Sequence, residues 1–395
     1  MMRPQLIRLC LGFVALALPA SARNAVAMDA LPSSTADALA QAASPQAIAE
    51  YRRKLKEYQD ARAAFEAEAG PYWTSITEKR RGRNAKRRDR QPITLNDYVL
   101  THPPLYTGPK RPVDPAPEPS ERPERKPIPV VADLLKSAAE EFQFTPQRPT
   151  TEVEFKRAYA RYALAAGLTS EQAVRVYSFE TGGTGNYDVQ SGIEHGGKRA
   201  ISTAIGYNQL LTTNSVELMA EQGHEFIKTL TEKAATLSGS PRKAMDHKLA
   251  VLKKMVAFTR TVPDDWSAHE KLANTAQGWA VHSMVLDIDV GPMLQTHKLL
   301  TSVIFARAKG YNRPLSAAEL EMMNLTGDGT GLDMVTMPQA MREQVPTSNF
   351  FQRGGYERNP VAIRHNTVAK LLAVTDERMD FNSSKPGAKE LAAAF

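Results

Sequence analysis

Thr169-Ser170-Glu171-Gln172-Ala173-Val174-Arg175-Val176-Tyr177-Ser178-Phe179-Glu180-Thr181-Gly182-Gly183 is the stretch on which the reading of this chain turns. Thr169 to Gln172 has the spacing of a capping box, and Ala173, Val176 and Tyr177 recur at helical period. Gly182-Gly183 closes the segment. Glu180 falls on the apolar stripe, seven residues after Ala173 and four after Val176. Burial disfavours an ionised carboxyl, and a helix C-terminus carries partial negative charge, so both raise the expected pKa. A carboxylic acid that keeps its proton near neutrality can serve as a general acid.

The segments that follow are helical in period. Thr213 to Gln222 is expected to end at Gly223, Phe226 to Leu237 follows, and Ser240-Pro241 opens a long helix with Met245, Leu249, Leu252 and Val256 on one face. Trp266 to Leu272, Trp279 to Leu286, Met293 to Ala308 and Ala362 to Val374 continue the pattern, and Ser316 to Glu319 reads as a second capping box. Strand alternation is lacking, so the fold class is all-α, with at most a small hairpin near Tyr187 to Ile193.

Downstream of Glu180 comes Gly206-Tyr207-Asn208-Gln209. A Gly here lets backbone or ligand approach closely, and the Gln amide both donates and accepts. A helix ending in Glu180-Thr181 followed by Gly-x-x-Gln resembles the lytic transglycosylase and lysozyme-like superfamily. Its members show Glu-Ser at the end of one helix and Gly-Leu-Met-Gln at the start of the next. Here Thr181 stands for Ser and Tyr207-Asn208 for Leu-Met, within a span from about Thr151 to about Met379. The family's third signature, of the Ala-Tyr-Asn-x-Gly type, has its nearest counterpart at Asn324 to Gly329.

The resemblance implies a lysozyme-like orthogonal helical domain that cleaves the glycosidic bond between N-acetylmuramic acid and N-acetylglucosamine in peptidoglycan strands. Glu180 would be its acid and base, with Thr181, Gly206, Tyr207, Asn208, Gln209 and Asn324 on the substrate side. Transglycosylation needs no second enzyme carboxylate, because the substrate's acetamido group assists and the muramyl 6-hydroxyl closes a 1,6-anhydro ring. Hydrolysis needs an activated water and, most simply, a second carboxylate. Asp188 and Glu194, in the Gly- and Asn-rich loop after Gly183, are the auxiliary carboxylates within reach, or else solvated loop charges. Tyr187 is expected to line a sugar subsite or to pack in the core.

The N-terminus carries Arg3 and Arg8, an apolar run from Leu9 to Leu18 and two Ala-x-Ala sites, near Ala22 and Ala27. This is the layout of a secretory signal over residues 1–27, which places the mature protein in the periplasm or outside the cell. The run is too short to span a bilayer, and no transmembrane segment is expected in the mature chain. Cys10 is the sole cysteine and leaves with the signal. The net charge of +7 becomes +4 once Arg3, Arg8 and Arg23 are removed.

Ser44-Pro45 opens an amphipathic helical region within residues 28–78, with Gly70-Pro71 as its expected end. Residues 79–130 read as a basic and Pro-rich linker, starting with eight Lys or Arg between Lys79 and Arg90. Export argues against nucleic acid as the partner of that run and favours anionic envelope polymers. Residues 131–379 make the catalytic domain and 380–395 a flexible tail. Gly354-Gly355-Tyr356 is placed as a turn able to fold over a cleft. Scattered histidines give no metal-binding pattern, so no metal or cofactor is expected. The alternative is an exported, non-catalytic glycan- or envelope-binding helical protein that adheres through its basic segment.

Overall fold

The computed structural model describes residues 44–115, 127–193 and 199–395, and the leader reading of residues 1–27 lies outside them. The described residues form helices, with long stretches outside α-helix after Arg88 and between Thr181 and Thr212, and the protein is all-α. In chain order these are α1 (Pro45–Arg88), α2 (Val131–Phe142), α3 (Glu152–Ala165), α4 (Ser170–Thr181), α5 (Thr212–Ala235), α6 (Gly239–Thr259), α7 (Trp266–Ala273) and α8 (Ala276–Ser283). There follow α9 (Val290–Ala308), α10 (Ala317–Thr326), α11 (Asp328–Val335), α12 (Gln339–Arg342), α13 (Arg353–Glu357), α14 (Pro360–Arg364), α15 (Val368–Ser383) and α16 (Pro386–Ala392). No helix among the described residues is long and apolar enough to cross a membrane.

The chain divides into two compact units. The larger comprises Pro127–Glu343 with Val368–Phe395. In it α5 packs on α6, α7, α8 and α9, α9 packs on α3, and α2 packs on α8. α4 is enclosed by α3, α10, α15 and α16. Gly223 does not end a helix as its residue type suggested. α5 runs straight through it, because a Cβ there would stand 2.3 Å from a Val256 methyl and only Gly lets α6 come so close. A buried Lys248 amine donates to Asp287 (2.9 Å), and Asp287 in turn accepts from the backbone N–H of Gln147 (2.8 Å) and Val290 (3.1 Å). This pins α6 to the start of α9. The C-terminal residues are no flexible tail: α16 packs on α3 and α4, with Ala388 and Leu391 fully buried and the Lys156 amine bonded to Glu390 (2.8 Å).

The smaller unit joins the described residues before 116 to Gln344–Thr367. Segment 344–367 therefore belongs with the N-terminal helix and not with the domain placed at 131–379. α1 begins at the expected cap, where Ser44 Oγ accepts from Ala47 N–H (3.2 Å), but continues through Gly70-Pro71 and the basic run as far as Arg88. Ala69, Trp73 and Ile76 are buried around Pro71, and that packing outweighs the lost backbone donor. Part of the basic run is internal structure. Arg83, 1 % exposed, donates to Asp97 O (2.9 Å) and Asn349 O (3.2 Å) and lies over the Tyr98 ring; Arg80 donates to Asn349 O and Phe351 O. Gly354 to Tyr356 lies in α13, with Tyr356 packed edge-on to Trp73.

Candidate active site

The capping box forms at the start of α4: Thr169 Oγ1 accepts from Gln172 N–H and Gln172 Oε1 from Thr169 N–H, both at 3.1 Å. Val176 and Tyr177 are fully buried, and the helix closes on Gly182 in the left-handed region (φ 66°). Glu180, in the last turn, is partly buried. It faces a second carboxyl, Glu321 of α10, and the Arg378 guanidinium of α15, which itself lies 4.9 Å over the Phe179 ring. Complete burial and the Glu180 charge push Glu321 well above the ordinary carboxylate range. Burial holds Arg378 below its usual value, while the two glutamates act to raise it. Asn324, one turn along α10, has its amide directed at Glu321 without reaching hydrogen-bond geometry. Glu180 and Asn324, singled out separately in the sequence, thus meet at the same buried carboxyl.

The Gly206–Gln209 turn is built as scaffold. Isolated antiparallel bridges link Gln190 to Ile205 and Ile205 to Leu210, where a small hairpin was expected. Gly206 has φ 83°, and a Cβ there would stand 2.1 Å from Gln295 Nε2. Tyr207 is fully buried among Phe155, Tyr159 and Tyr177, and its hydroxyl donates to Glu152 Oε1. Asn208 N–H donates to Gln295 Oε1 and its amide to Gln295 O, both at 2.8 Å. Gln209, at φ 43°, donates to Gly206 O (2.9 Å) and Val189 O (3.3 Å). As substrate-contacting side chains Tyr207 and Asn208 are therefore corrected: burial and these partners make them the link between α3, α4 and α9. Tyr187 likewise stacks on Phe155, accepts from Arg148 Nε (2.7 Å) and leaves 8 % of its surface exposed.

A groove of about 550 Å³ opens just beyond Glu180, with Thr181, Asp188, Gln190 and Ile193 on one side and the start of α2 on the other. Neither Glu180 nor Gln209 is among its lining residues. Thr181 contributes to the wall while its hydroxyl donates back to Tyr177 O (2.8 Å). Asp188 lies at the groove, paired with Arg148. Glu194 lies outside the described residues. Among those residues no cluster of His, Cys, Asp and Glu is arranged to hold a metal ion.

Sequence reasoning missed Glu152, Gln295, Glu321 and Arg378. Glu321 carried a signal: it sits in Ala317-Ala318-Glu319-Leu320-Glu321-Met322-Met323, the same pattern of a charge in an apolar helix that marked Glu180. The other three had none, because their partners lie far off in sequence, in the 182–211 loop for Glu152 and Gln295 and on α4 and α10 for Arg378. No family model matches the chain, and no curated protein or solved structure is significantly similar to it.

Proposed function

We propose that this protein is an exported peptidoglycan-cleaving enzyme that acts on the β-1,4 bond between N-acetylmuramic acid and N-acetylglucosamine, with Glu180 as general acid and then base. The observation that carries this reading is the position of Glu180: partly buried in the last turn of α4, against a second carboxyl and beside a groove. Low local dielectric and a neighbouring carboxyl are the conditions under which one glutamate keeps a proton to donate. Transglycosylation is favoured over hydrolysis. Among the described residues, Glu321 is fully buried and cannot meet a water on the far face of a sugar, and Asp188 is tied to Arg148.

One observation favours a non-catalytic envelope-binding protein instead. Tyr207 and Asn208 serve the scaffold, and neither Glu180 nor Gln209 lines the groove. Purified protein lacking residues 1–27, incubated with sacculi, separates these readings. Release of anhydro-muropeptides supports transglycosylation, and new reducing ends support hydrolysis. Binding without either product supports the adhesion protein. Glu180→Gln is expected to abolish product release while shifting unfolding free energy by less than about 1 kcal/mol; turnover that survives this change removes Glu180 from the mechanism.

A further inference from the structure

α10 is buried on nearly every side: Ala317, Leu320, Met322 and Met323 are in the core, and Glu319 pairs with Arg313 and Arg342. In its middle stands Glu321, with 0 % of its surface exposed and its carboxyl set against the Glu180 carboxyl and the Asn324 amide, though neither oxygen reaches full hydrogen-bond geometry among the described residues. Few groups are costlier to hold in a core than an ionised carboxylate without donors. The charged groups that act on it are Glu180 from α4, Lys298 from α9 and Arg378 from α15. α11, the remaining helix packed on α10, carries Asp328, which accepts from Ser302 Oγ (2.6 Å), and Asp333. Two carboxylates facing one another here cannot both ionise cheaply, and of the two only Glu180 has surface in contact with solvent.

We propose that Glu321 is a positioning residue that shares one proton with Glu180 at neutral pH, storing it below the surface and passing it to the exposed partner. Its role in catalysis rests on the glycosidase reading above; the sharing itself is a property of the folded protein. In the reaction the proton leaves through Glu180 to the glycosidic oxygen as the bond from that oxygen to C1 breaks, the bond's electron pair staying on the oxygen. The glutamate pair is then doubly anionic, a state offset by Arg378 and Lys298. When the muramyl 6-hydroxyl attacks C1, its proton returns to Glu180 and the pair again holds one proton. Over the cycle the pair is unchanged, and the aversion of its dianion to persisting makes Glu180 a better base in the second half.

The test is a carbon-13 NMR titration of the side-chain carboxyls of Glu180 and Glu321 in the full chain, assigned with Glu180→Gln and Glu321→Gln. The expected result is a pair that loses its protons in two separated steps, the upper one above the ordinary glutamate range. Glu321→Gln should collapse Glu180 to a single step at lower pH. Two carboxyls that both titrate in the ordinary range, or a Glu180 titration unmoved by Glu321→Gln, overturn the proposal. With sacculi, Glu321→Gln should retain product formation but move the alkaline limb of the pH profile downward. At the pH where the wild-type rate is half-maximal on that limb, the variant should run about tenfold slower relative to its own maximum. An unchanged profile in an active variant removes Glu321 from catalysis. A titration as expected with no product from any form of the protein leaves proton sharing standing and ends the glycosidase reading alone.

Discussion

At Gly206 two constraints coincide, since φ is 83° and the space a Cβ would fill holds the Gln295 amide 2.1 Å away. Gly206→Ala therefore strains the backbone and displaces the side chain that also holds Asn208. The expected loss is about 2–4 kcal/mol in urea unfolding, whereas Gly329→Ala, with open space around it, should stay within about 1 kcal/mol. Two histidines give a pH signature. Burial holds the imidazoles of His282 and His297 down to about 4. His282 Nε2 donates to Thr203 O (2.8 Å), which leaves Nδ1 to accept from Ser215 Oγ (2.8 Å), and a proton on Nδ1 abolishes that acceptor. Because the folded pKa lies below the unfolded value of about 6.5, the unfolded chain takes up protons first as pH falls. The stabilisation is whole above pH 6.5 and declines towards pH 4, by on the order of 3 kcal/mol for each ring. Chemical denaturation between pH 7 and pH 5 should show the slope, and His282→Gln should flatten it. Glu321 shows how far one residue can be read from sequence alone. A charge amid apolar neighbours on a helix is visible, but the identity of its partner is not.

Helix starts were the most legible elements, because a cap is written in four consecutive residues. The boxes at Thr169 and Ser316 both form with the expected partners, Gln172 and Glu319. Helix ends were read less well, because Gly and Pro are weighed against packing that only the fold reveals. Gly70-Pro71 and Gly223 both lie inside helices, one beside buried Trp73 and Ile76, the other against Val256. The same limit applied to the basic run. Charge density reads as solvated linker, yet the helical period of α1 turns Arg80 and Arg83 inward to Asn349 and leaves Arg81, Arg87, Arg88 and Arg90 exposed. Arg83→Ala should cost about 2–4 kcal/mol, since it strands the carbonyl of Asp97, leaves Asn349 O with Arg80 as its remaining arginine donor and empties the space over Tyr98. Arg88→Ala should stay within about 0.5 kcal/mol. Thermal unfolding of the two variants side by side distinguishes a structural basic run from a solvated one. Any attraction to anionic polymers then belongs to the exposed arginines, and replacing Arg81, Arg87 and Arg88 together should weaken salt-sensitive binding without lowering the melting temperature.

Across the larger unit, the end of the chain closes over the beginning of the candidate site. α16 sets Leu391 and Ala388 into the core beside α3 and α4, and Ala388 N–H donates to Gly183 O (3.0 Å), the carbonyl just past the end of the helix that carries Glu180. Lys156, 2 % exposed, pairs with Glu390 from the same segment. A chain stopped after Ser384 loses that carboxylate and leaves Lys156 with Glu152 as the carboxylate that acts on it. It also uncovers the Tyr177 hydroxyl, which lies within packing distance of Gly387. The buried cation and the lost apolar cover together should remove on the order of 5 kcal/mol, where a disordered tail would remove nothing. Glu390→Gln alone should account for no more than about 1 kcal/mol of it, because the Glu390 side chain is more than half exposed. The effect should also be local: amide exchange at Val176 to Thr181 should quicken in the truncated protein more than exchange in α6, which packs chiefly on α5. If exchange in both segments rises equally, α16 stabilises the unit as a whole. If only α4 loosens, the C-terminal helix is the clamp that holds Glu180 in place, and product release from sacculi should fall with it even at temperatures where the truncated chain remains folded.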